Sequence, residues 1–118
     1  MTTYSRQLLS GSTNGRAIPV VAVATAGTLI HTAITGAVGF DEIYLWVSNV
    51  TGAAATLTLE WGGVTDPDDH MTKALSIPAN SGAIAIVFGQ VLNNGLVLRA
   101  FSGTASALNI TGFVNRIS

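Results

Sequence analysis

Cysteine is absent from this chain and charge is scarce. With no thiol in 118 residues, neither disulfides nor thiolate metal sites hold the molecule together, so an apolar core must do so unaided and the redox compartment stays open. Charged residues make up 9% of the chain, against roughly 25% in ordinary soluble proteins. The five cations, Arg6, Arg16, Lys73, Arg99 and Arg116, are scattered, and the formal net charge is -1. Phosphate neutralisation needs clustered Lys and Arg, so no nucleic-acid partner is expected. No apolar run reaches the length of a membrane span, and "MTTYSRQLLSGSTNG" lacks the charged start and apolar stretch of a secretory signal. The expectation is a soluble protein with no membrane partner and no export address. Helical periodicity with start and stop signals is missing, as are internal repeats, a phosphate-cradling glycine loop and a G-x-S-x-G nucleophile turn. Charge normally keeps proteins apart in solution. A surface this neutral predicts that much of it is covered by copies of the chain or by a partner.

What the chain does have is period-two alternation. At this length one domain with a core of its own is expected. "EIYLWVSN" sets Ile43, Leu45 and Val47 on one face and Tyr44, Trp46 and Ser48 on the other; "ATLTLEW" sets Leu57, Leu59 and Trp61 against Thr56, Thr58 and Glu60. The two runs flank "VTGAA" and predict an antiparallel hairpin. "AIAIVF" sets Ile84, Ile86 and Phe88 against Ala83, Ala85 and Val87, and "LVLRAF" follows the turn residues Asn93, Asn94 and Gly95, which predicts a second hairpin. In the last run, Gly112 separates Leu108 and Ile110 from Phe113 and Ile117, of opposite parity; a glycine bulge would bring both groups onto one face. With "PVVAVA", "TLIHTAI" and "KALSIP" the total is about eight strands. The predicted fold is all-β: a single-domain β-sandwich of jelly-roll type over residues 18–118, preceded by an N-terminal arm over residues 1–17. Leu8 and Leu9 make that arm a segment that orders against something else.

The stretch "EWGGVTDPDDH", Glu60 to His70, concentrates four of the six acidic residues and one of the two histidines. Its spacing lacks the alternation and distal Glu of a calcium loop, and one histidine with neighbouring carboxylates is too few for zinc. Asp-Pro and Asp-Asp favour exposed turns, so a loop tip is preferred to an ion site. His31, alone in "TLIHTAI", is expected to be a hydrogen-bonded structural residue. No nucleophile is set up beside it, and the chain reads as non-enzymatic, without cofactor or metal. An outward Tyr44 and Trp46 on a nearly uncharged sheet point to a subunit contact.

The succession "LLSGSTNGRAIPV", "GTLIHTA", "LTLEWGG", "TDPDDH", "IPANSG", "LNNGLVLRAF" and "GFVNRI" resembles small all-β structural proteins of tailed bacteriophages, in particular head decoration (cement) proteins, from Leu8 to Ile117. The resemblance implies a homotrimer on the outer surface of the virion capsid, made in the host bacterial cytoplasm. It would clamp neighbouring copies of the major capsid protein and so stabilise the assembled shell by linkage. On this resemblance the contact residues are Arg6, Leu8, Leu9 and Arg16 in the arm, with Tyr44 and Trp46 at a subunit face. The alternative is a receptor- or carbohydrate-binding module of a phage fibre or head spike, using an exposed aromatic residue and the acidic loop.

Overall fold

The period of two becomes strands throughout. The computed structural model describes residues 2–118, and among these there is no helix. The strands are β1 (Tyr4–Leu8), β2 (Ile18–Pro19), β3 (Thr28–Thr32), β4 (Phe40–Asn49), β5 (Ala55–Trp61), β6 (His70–Ile77), β7 (Ile84–Leu92), β8 (Val97–Ser102) and β9 (Leu108–Ile117). They form two antiparallel sheets. In the first the order is β1-β9-β4-β7, with β2 also paired to β9; in the second it is β3-β8-β5-β6. From β2 onward the order is that of a jelly roll, in which strands pass back and forth between two packed sheets. The expected all-β sandwich is thus the observed one.

The core lies between the sheets. Ile43, Leu45 and Val47 of β4, with Leu108, Ile110 and Val114 of β9, face Ile30, Leu57, Leu59, Leu98 and Ala100 of the second sheet, all of them buried. Each large aliphatic side chain buried here contributes roughly 1.5–3 kcal/mol relative to exposure. That is how a cysteine-free chain of this size holds its shape.

Several pairings differ from those the sequence suggests. β4 and β5 are not a hairpin, nor are β7 and β8: the members of each pair sit in different sheets. Turn residues such as "VTGAA" and "NNG" serve a corner between sheets as well as a hairpin, because alternation reports only which side of a strand is buried. Among the described residues the sequence-adjacent strands that pair with each other are β5 and β6, and the Glu60–His70 stretch is the bend between them.

Gly112 makes no bulge. β9 pairs β4 in unbroken register from Phe40↔Ile117 to Asn49↔Leu108, so Phe113 and Ile117 stay on the outer face and Val114 supplies the inward residue. The bulges are in β7 instead. Its register against β4 skips at Gly89 and again at Ile86, which turns Val87 inward and leaves Phe88 69% exposed, the reverse of the predicted faces. Of the arm expected over residues 1–17, Met1 lies outside the described residues and the part from Tyr4 to Leu8 is β1 of the first sheet. Tyr4–Leu8 pairs with β9 from Tyr4↔Ile117 to Leu8↔Phe113, because the edge of β9 beyond β2 offers unpaired backbone groups that this segment satisfies.

Candidate functional site

The outer face of the first sheet is built by register. Leu8 on β1 stands opposite Phe113 on β9, Phe113 opposite Tyr44 on β4, and Tyr44 opposite Phe88 on β7. One apolar row therefore crosses all four strands. Tyr44 and Phe113 stack with centroids 5.0 Å apart and planes at 17°; Trp46 stacks on Phe113 at 6.0 Å. The Arg6 guanidinium lies over the Phe113 ring, 4.6 Å from its centroid. Such stacks and cation–π contacts each add a fraction of a kcal/mol to about 1 kcal/mol at a partly exposed site, and they hold the rings flat against the sheet. Gly89, with φ of 83°, lets the Tyr44 ring cross β7: a Cβ there would come within 3.0 Å of the phenolic oxygen.

The neighbouring row is Arg6, Asn115, Glu42 and Val91. Arg6 and Glu42 bring one charge of each sign to the face, and among the described residues neither forms an ion pair. The patch is therefore flat, aromatic and electrically neutral. A patch of this kind marks interaction surfaces on soluble proteins.

Four of the six contact residues expected from the sequence, Arg6, Leu8, Tyr44 and Trp46, come together on this face. Leu9 does not. It is 2% exposed and belongs to the core, whereas Leu8 is 58% exposed; adjacent strand residues point to opposite sides, so the two leucines could not share a contact. Arg16 is elsewhere too, on the exposed loop between β1 and β2, beside a shallow cleft lined by Ser12, Thr13 and Ile18. Replacing Leu9 by Ala should lower the unfolding free energy by about 2–5 kcal/mol, while Leu8→Ala should change it by less than about 0.5 kcal/mol. Urea denaturation of the two variants measures this, and equal effects would contradict the opposed facing. Phe113 and Phe88 were missed by sequence reasoning. The only signal for Phe113 was its parity opposite to Leu108 and Ile110 in its own strand once the bulge at Gly112 is set aside.

The buried titratable groups His31 and Asp41 belong to one hydrogen-bond network with Arg116. His31 Nδ1 accepts from the Ser10 N–H at 3.0 Å, which leaves Nε2 to donate to Asp41 Oδ2 at 2.7 Å. Asp41 also accepts from Arg116 Nε at 2.8 Å and Nη2 at 3.0 Å, and from the Ile34 N–H at 3.1 Å. Burial pushes the Asp41 carboxyl up, but the Arg116 hydrogen bond, then that of His31, outweighs it and holds the group below the usual carboxylate value; the same bond raises Arg116. His31 is thus the hydrogen-bonded structural residue expected.

In the β5–β6 bend, the Asp69 carboxylate accepts from the Thr65 N–H at 3.0 Å, Asp69 N–H donates to the Thr65 carbonyl at 2.8 Å, and His70 N–H donates to that of Pro67 at 3.0 Å. These bonds make the turn. Lys73 Nζ donates to both oxygens of Asp66, at 2.8 and 2.9 Å, and that bond draws the Asp66 carboxyl below its usual value. Glu60 is fully buried, accepting from Thr25 Oγ1 and the Gly27 N–H, each at 2.7 Å. The Ala22–Gly27 loop folded over the outer face of the second sheet provides those donors. Among the described residues no three of His, Asp and Glu are placed to share a metal ion.

No protein-family model matches the chain, and neither a curated protein nor a solved structure matches it at a significant level.

Proposed function

We propose that this protein is a non-catalytic structural module of a tailed-phage virion, a capsid decoration protein that docks through the outer face of its first sheet. One observation carries the reading: the row Leu8, Phe113, Tyr44 and Phe88, reinforced by Trp46, lies uncovered on a chain with few charges to keep copies apart. Apolar rings held flat by stacking lose little side-chain entropy on contact, so a partner surface gains the burial with a small ordering penalty. The molecule's own copies and the repeating shell of major capsid protein are the partners of this reading, with a homotrimer as the decorating unit. Contacts made only on the assembled lattice would stabilise that lattice by mass action.

Size-exclusion chromatography with light scattering tests the self-contact. The wild type should elute as a trimer, and Phe88→Asp, which places a charge at the β7 end of the patch without touching the core, should elute as a monomer with an unchanged melting temperature. A wild type that stays monomeric at high micromolar concentration removes the trimer. Electron microscopy of the parent virion with this chain labelled tests the location: label on the outer head surface is expected, and label restricted to tail or fibre ends the decoration reading.

A further inference from the structure

The two charges on the outer face of the first sheet share one row. Arg6 on β1, Asn115 on β9 and Glu42 on β4 stand side by side, and Val91 of β7 completes the row. An apolar row lies on each side of it: Leu8, Phe113, Tyr44 and Phe88 on one, Tyr4, Ile117 and Phe40 on the other. The remaining charged residues of these four strands, Asp41 and Arg116, pair with each other through the buried Asp41 carboxylate. Arg6 and Glu42 have no such partner. Arg6 is exposed and Glu42 half-buried, and among the described residues neither is ion-paired within its own chain. With β9 between their strands they are about 10 Å apart at the usual strand spacing, and with Tyr4, Ser5 and Asn115 they line a shallow cleft of about 490 Å³. The contact of Arg6 with Phe113 uses the flat face of the guanidinium; the N–H groups at its edge suit a carboxylate.

A sheet face that packs on a copy of itself can do so in few ways, and these charges separate them. Rotation about an axis across the strands turns the charged row onto itself, Arg6 on Arg6 and Glu42 on Glu42, or onto one of its apolar neighbours. The first sets like charges together, and the second leaves each charge unpaired against apolar groups. Both are unfavourable. Rotation about an axis along the strands keeps every residue at its own height, so each row meets the same row with its ends exchanged. Arg6 then meets Glu42 of the second copy, and apolar rows meet apolar rows. This holds for two copies about an axis over β9, and equally for a ring of three in which the β1 side of one face meets the β4 side of the next.

We infer that this face takes a second copy of the chain, related to the first by an axis parallel to the strands, and that Arg6 of one copy pairs with Glu42 of the next. The pairing deepens, and rests on, the proposed use of this face as the contact between copies. The apolar rows supply the area to be buried, and the charged row fixes the register in which it is buried.

Analytical ultracentrifugation of charge variants at low salt tests the pairing. Arg6→Glu and Glu42→Arg each set like charges against one another and should weaken self-association about tenfold or more. The chain carrying both changes restores the pair in reverse and should associate within about threefold of the wild type. Added salt should weaken association of the wild type and strengthen that of either single variant, because screening removes an attraction in one and a repulsion in the other. Glu42→Gln, the milder change, should fall between the wild type and Glu42→Arg, and it keeps the test open if a reversed charge disturbs folding. The pairing is overturned if the single variants associate as the wild type does, if the double variant is no better than the singles, or if the wild type is monomeric. The last result would also remove the contact between copies. If instead the wild type associates and Phe88→Asp does not, while the charge variants match the wild type, the contact face stands and the pairing alone fails.

Discussion

Asp41→Asn should remove about 3–5 kcal/mol from the unfolding free energy, the loss expected when one partner of a buried ion pair is taken away. The reason is the number of groups that converge on this carboxylate. Arg116 from β9, His31 from β3 and the backbone N–H of Ile34 all donate to it, and His31 in turn receives the N–H of Ser10. One side chain thus ties both sheets and the segment after β1 into a single network. Asparagine keeps the shape but not the charge, and its amide nitrogen meets donors where the carboxylate met them with an acceptor.

A pH dependence follows from the same contacts. The folded carboxyl lies below its ordinary value of 3.8, so its contribution is fully present above pH of about 4 and is lost as pH falls through the lowered folded value. Urea denaturation from pH 7 down to pH 2 should show the wild type losing stability over the acid part of that range, with the Asp41→Asn variant losing less. Because Arg116 and Asp41 act as one unit, Asp41→Asn combined with Arg116→Gln should cost less than the two single changes added. Additive losses, or a single-variant loss under about 1 kcal/mol, would mean that the network is not coupled in this way.

Gly112→Ala should be at least as damaging, with a loss of roughly 4 kcal/mol or more, a large share of a typical domain's 5–15 kcal/mol. Gly112 lies opposite Leu45 in the β4–β9 pair at the centre of the first sheet. A Cβ there would run into the Tyr44 carbonyl oxygen and approach Leu45 Cα to 3.1 Å. Both obstacles are backbone, so no rotamer change relieves the clash. The strands would have to separate, and with them the stacked Tyr44 and Phe113 rings. By contrast, a Cβ at Gly52, in the β4–β5 connection, meets nothing within 4 Å, and Gly52→Ala should stay within about 0.5 kcal/mol of the wild type. Soluble yield and denaturation midpoints of the two variants measure the difference. A Gly112→Ala protein that melts with the wild type would show that β4 and β9 do not approach this closely.

Sequence alone was enough for the class of the fold and for much of its inside. Alternation placed Ile43, Leu45, Val47, Leu57 and Leu59 in the core, and the same alternation placed Tyr44 and Trp46 outside, because a strand's side chains point to opposite faces whatever it pairs with. The scarcity of charge was equally direct, being a property of composition. Strand partners were another matter. Whether β5 follows β4 within one sheet or crosses to the other depends on the packing of two sheets, which no local period encodes. The bulges at Gly89 and Ile86, which expose Phe88, depend on how β7 fits the curvature of β4. Gly112 reads identically as a bulge or as a close approach of two backbones until its neighbour is known. Leu8 and Leu9 look alike as a pair, and only the pairing of β1 with β9 sends one outward and the other into the core. The meeting of bend and loop on the second sheet is likewise tertiary. Thr25, the Glu60–His70 bend and Phe101 are far apart in the chain and meet because β5 stands between β6 and β8 while the Ala22–Gly27 loop folds across them. A sequence records which face each residue prefers; which faces meet is decided by long-range pairing, where each contact is stable only when the others have formed.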